Sequence, residues 1–100
     1  MKMESRREDE PVEKSVEEYV KFLEAKGFAF GEDAIGFIYF GKRYTNAEDF
    51  LVNAAIEVTL KAQKTFDGSF YISLLENLKQ QKIHSRAAAE SYARKCGLLA

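Results

Sequence analysis

The sequence predicts an all-α fold, a compact bundle of four to five short helices. Apolar residues recur at i, i+3, i+4 and i+7 over most of the chain, the spacing of one helix face. Most of these runs open on a capping residue or close on a glycine. Apolar residues make up 46% of the 100-residue chain and aromatics 13%, enough to fill one core in a single domain.

The first 14 residues, "MKMESRREDEPVEK", are polar and charge-dense, contain the only proline, Pro11, and read as a flexible tail before a single domain over 15–100. Ser15 then opens "SVEE", a capping box in which the Ser15 hydroxyl accepts from the Glu18 amide and the Glu18 carboxylate reaches back. Val16, Tyr19, Val20 and Leu23 form one face of a helix over about 16–26, which Gly27 ends.

Residues 28–44 admit two readings. The acidic start (Glu32, Asp33) and basic end (Lys42, Arg43) suit the dipole of a helix from Glu32 to about Tyr44, with Ile35, Ile38 and Tyr39 on one side. Against it, "FIYF" is strong strand material and glycines at 36 and 41 each cost a helix about 1 kcal/mol, so a β-hairpin is the alternative. Asn46 is expected to cap the next helix, with a stripe of Leu51, Ala55, Val58 and Ala62 running to about Lys64. "TFDGS" breaks it, and Asp67 or Ser69 caps a helix from Phe70 to about Gln81 that buries Tyr71, Leu74, Leu75 and Leu78. Ser85 caps the last helix, carrying Ala88, Ala89, Tyr92 and Ala93. Gly97 ends it, with Leu98 where a Schellman motif takes an apolar residue.

The chain holds one cysteine, Cys96, so no intramolecular disulfide can form, and a reducing, cytoplasmic setting is expected. No apolar run approaches the ~18 residues of a membrane span, and the N-terminus has no signal-peptide core. "GFIYFGKR" follows the phosphate-loop pattern for seven residues, but Arg43 replaces the magnesium-ligating hydroxyl and the loop would be apolar where a backbone cradle is needed. His84, the only histidine, has no metal-ligand or nucleophile partner in sequence. The carboxylate pairs Glu17–Glu18, Glu32–Asp33 and Glu48–Asp49 fall in first turns of helices, where the dipole accounts for them. The expectation is a protein that is not an enzyme and takes no cofactor, metal or small-molecule substrate.

The net charge of −1 hides an asymmetry. Residues 1–60 carry 8 Lys/Arg against 13 Asp/Glu, and residues 61–100 carry 7 against 3. Lys79, Lys82, Arg86, Arg94 and Lys95 are therefore the candidate contacts to an anionic partner, Arg86 and Arg94 sharing a face at a spacing of eight with Glu90 between them.

From Phe70 onward, "FYISLLENLKQQKIHSRAAAESYA" resembles the end of the DnaD-type replication domain. Phe70 falls on that family's aromatic, Leu74 and Leu75 on its Ile-Leu, Leu78 on its Trp, Lys82 on its glycine, Ile83 on its isoleucine and Ser85 on its helix cap. The preceding "EDFLVNAAIEVTLKAQK" is similar in kind, so the resemblance covers about residues 47–94. The whole chain is also similar to small proteins of spore-forming Gram-positive bacteria, which implies no function. The replication-domain resemblance implies a helical module that binds DNA or a replication protein. Leu78 lacks the family's indole and Phe70 the hydroxyl of its tyrosine, departures that bear on DNA binding more than on fold. The rival reading is a protein-interaction or homo-oligomeric module whose surface is "FIYFGKRY", since Phe, Tyr and Arg are enriched at interface hot spots.

Overall fold

Ser15 opens α1 (Val16–Ala25) as its spacing predicts. Its hydroxyl accepts from the Glu18 amide at 3.1 Å, and the Ser15 amide donates to the Glu18 carboxylate at 3.0 Å. The computed structural model describes residues 14–99, so the tail expected at 1–14 lies, but for Lys14, outside the described residues. Four more helices follow, α2 (Glu32–Thr45), α3 (Asp49–Gln63), α4 (Gly68–Gln80) and α5 (Arg86–Lys95), and there is no strand among the described residues.

Residues 32–45 are thus helical, and the hairpin alternative for 28–44 is not what forms. Ile38 on the inner side is fully buried and Ile35 and Tyr39 half-buried, a 3.6-residue periodicity that an alternating strand would not give. Gly41 is tolerated because it lies against another side chain: a Cβ there would sit 2.7 Å from Tyr71 Cε2. Asn46 is not the cap of α3. It closes α2 instead, in the left-handed conformation at φ 57°, its amide donating to the Lys42 carbonyl, and the N-cap of α3 is Glu48. Asparagine serves both ends of helices because it tolerates the left-handed region as well as accepting from free amides.

Helix α3 is the hub. It packs against all four others, while α4 is also packed on α2. Residues 51–56 are buried without interruption. Around them lie Ile38 of α2, Tyr71, Leu75 and Leu78 of α4, and Ala89 and Ala93 of α5, all fully buried, with Val16, Tyr19, Val20 and Leu23 closing the α1 side. Two polar side chains enter this core. Thr59 donates to the Ala55 carbonyl at 2.7 Å, and Asn53 donates from Nδ2 to the Lys14 carbonyl at 2.9 Å. Asp67 caps α4 and Ser85 caps α5, each side chain accepting an amide of the first turn at 3.0 Å. Past α5, Gly97 adopts φ 78° and the Leu98 amide donates to Ala93, the closing bond of a Schellman turn.

Candidate functional site

The five basic residues singled out in the sequence do not share one environment. Arg86, the first residue of α5, is turned toward α3 and α1. Its guanidinium pairs with Glu57 and lies over the Tyr19 ring at 5.5 Å from the centroid. Glu57 also takes Lys61 at 3.3 Å, Lys61 reaches Glu90 at 3.2 Å, and Glu90 takes Arg94 at 2.8 Å. The result is a row of alternating charge, Arg86–Glu57–Lys61–Glu90–Arg94, bridging α3 and α5. Its electrostatics follow from that order. The hydrogen bond to Glu90 raises the Lys61 amine above its ordinary pKa, and the same bond holds the Glu90 carboxyl below its own. Burial, reinforced by the Glu57 carboxylate and opposed by Arg86, pushes the Tyr19 phenol up to about 12.

Lys79 and Lys82 stand elsewhere, beside the start of α3. With Glu48, Phe50, Leu51, Ile83 and His84 they line a hollow of about 160 Å³, and the Lys79 amine donates to the Asn46 carbonyl at 2.9 Å. Lys95 is exposed at the end of α5. Lys82 has φ 55°, so the position where the DnaD-type domain carries glycine has the backbone conformation that glycine favours. A helix end imposes the same conformation by itself. Leu78, at that domain's Trp position, is fully buried in the core.

The second candidate surface is the outward side of α2. Opposite the buried Ile38 lie Phe37, Phe40 and Tyr44, exposed by 41%, 54% and 63%. Phe40 and Tyr44 stack, centroids 5.5 Å apart and planes 12° from parallel, so they present one continuous apolar plate. Phe37 is seated on the start of α4, where a Cβ at Gly68 would fall 2.5 Å from the ring. Beside the plate, Glu32, Asp33, Gly36, Phe37 and Phe40 line a shallow depression. The sequence offers "FIYFGKRY" as interface material, and the structure leaves three of its aromatics partly exposed. What the sequence left open was which aromatics point outward, and the 100° per residue of a helix separates them, since Phe40 falls opposite Ile38.

Among the described residues no three His, Cys, Asp or Glu side chains are grouped to hold a metal ion. No helix among them is long and apolar enough to cross a membrane. Cys96 is exposed beyond α5 and His84 lines the hollow at the start of α3.

No curated protein and no solved structure matches the chain. A protein family described as being of unknown function matches residues 11–99, nearly the whole sequence. The chain belongs to that family, DUF6123.

Proposed function

We infer that this chain is a non-enzymatic helical module that docks another protein through the outward face of α2. The observation that carries the reading is the side-by-side exposure of Phe37, Phe40 and Tyr44 on one helix face. Scattered exposed apolar residues are ordinary on any protein, but an aromatic plate with a charged rim is the composition of an interface centre. Such a module needs no cofactor, and its single exposed cysteine suits the reducing cytoplasm.

The nucleic-acid reading, in which Lys79, Lys82, Arg86, Arg94 and Lys95 hold a DnaD-like module on DNA or a replication protein, is less well supported. Arg86 and Arg94 are already engaged by Glu57 and Glu90, so a phosphate would have to displace a carboxylate at each. With Lys79, Lys82 and Lys95 alone, log affinity would fall against log salt with a slope no steeper than about −3.

The test is site-specific photo-cross-linking in cells, with a photoreactive phenylalanine analogue in place of Phe40, Tyr44, Lys82 or Lys95. Discrete protein adducts from positions 40 and 44, and none from 82 and 95, are expected. Adducts confined to 82 and 95, with salt-dependent DNA binding that Lys79→Glu with Lys82→Glu abolishes, would replace this reading with the nucleic-acid one.

A further inference from the structure

Three helical glycines can be sorted by what a side chain there would meet. At Gly41 a Cβ would run into the fixed, buried ring of Tyr71, and at Gly68 into the ring of the half-exposed Phe37, so both glycines have neighbours within the chain that account for them. At Gly36 a Cβ would meet nothing within 4 Å, and the residue has no positive φ. Glycine is among the poorest helix formers, and no contact within the chain requires it at this place in α2. It lies on the outward face, in the depression beside Phe37 and Phe40.

That face also matches itself when reversed. About residue 38, Asp33 is the mirror position of Arg43, and Gly36 is the mirror position of Phe40. Each pair sets an acid against a base or a gap against a ring. All four positions are on the side of the helix away from the buried Ile38.

We propose that two copies of this chain pair through antiparallel α2 helices, Phe40 of each seated over Gly36 of the other and Asp33 of each facing Arg43 of the other. The inference rests on the reading of the α2 face as a docking surface and names what occupies it. A second copy fits for three reasons. A two-fold axis turns one self-complementary patch into a closed dimer. Antiparallel packing sets the acidic start of one helix, Glu32 and Asp33, beside the basic end of the other and opposes their dipoles. Lys42 is held by Asp49 within its own chain, which leaves the exposed Arg43 as the base on the outward face. Glycine in the seat lets the two backbones approach closely enough for the rings to interdigitate. One face of a 14-residue helix covers less than the ~800 Å² per partner of a standard interface. The dimer is therefore of the weak, reversible class.

Sedimentation equilibrium of the purified chain, from about 10 μM to about 1 mM at low salt, reads this directly. The mass is expected to rise from 11.4 kDa toward twice that value. Phe40→Glu and Gly36→Leu are each expected to raise Kd at least tenfold. Gly36→Leu should do so while raising Tm by a few degrees, about 4 °C, because it improves the helix and its Cβ meets nothing within 4 Å inside the monomer. Arg43→Asp should weaken pairing, and adding Asp33→Arg to it should restore pairing, each variant's fold being checked by its melting curve. A chain that stays monomeric throughout, an association untouched by Phe40→Glu, or a charge-swapped double variant no better than the single one would each overturn the proposal. Loss of the second copy alone would leave cross-links from position 40 to a different protein, whereas loss of the α2 face as an interface would abolish those cross-links too.

Discussion

Tyr71 shows how much one side chain can dictate. Its ring is fully buried, its hydroxyl donates to the Ile38 carbonyl at 2.7 Å, and burial pushes its phenol well above the ordinary tyrosine range. With both ends fixed, the ring cannot yield to a methyl group at Gly41. Gly41→Ala should therefore lower the urea midpoint at unchanged m-value. The overpacking cost of about 1–3 kcal/mol outweighs the roughly 1 kcal/mol that alanine returns to the helix. A variant more stable than the parent would show that the ring swings aside freely. Nothing in the sequence disclosed this requirement. Gly41 looked like a mark against a helix because the ring that explains it comes from Tyr71, far along the chain, and Arg86 is likewise 29 positions from Glu57.

At the level of elements, four of the five helices were legible from spacing, three of them with the right cap, while α3 was assigned Asn46 where Glu48 stands. Ser15, Asp67 and Ser85 accept the amides their positions call for, and Gly27 and Gly97 take positive φ where helices end. α2 was ambiguous because its glycines argue locally against a helix and its "FIYF" for a strand, and tertiary packing on α4 decides otherwise. Packing also ranks the helices. α3 touches every other element, whereas α1 packs chiefly on α3 and ends in the exposed turn around Gly27. Local opening follows the number of buried partners an element has. Hydrogen exchange is accordingly expected to release amides of residues 20–25 well before those of 52–59 or 74–78. Equal protection across the three segments would mean that α1 is bound into the cooperative unit as firmly as the hub.

Over the whole molecule, the charge asymmetry read from the sequence is real, but the fold brings part of each half together. Glu57 of the acidic half binds Arg86 and Lys61 of the basic half, a neutralisation that composition cannot reveal. The candidate phosphate residues were thus legible as residues and not as a surface. Stability at high pH is a property of the same assembled core. The unfolded chain releases its phenolic protons near the ordinary value of about 10, whereas folded Tyr19 holds its proton to about 12 and burial raises Tyr71 as well. Above pH ~10 the unfolded state binds fewer protons, so this stability is fully present below that pH and lost as pH rises through the folded values. The unfolding free energy should fall by about 1.4 kcal/mol per pH unit for each withheld phenol, with phenolate absorbance appearing together with unfolding. Phenolate signals from all five tyrosines at about pH 10 in a folded chain would contradict it.

The uninterrupted burial of residues 51–56 has a consequence for how such a chain can change over time. With its middle helix hemmed in by neighbours, novelty is confined to the rim, and the outer side of α2 is a part of that rim where aromatic residues can be exchanged without disturbing the axle. A lineage that changed its partner would be expected to record the change at positions 36, 40 and 44 while the axle stayed much as it was.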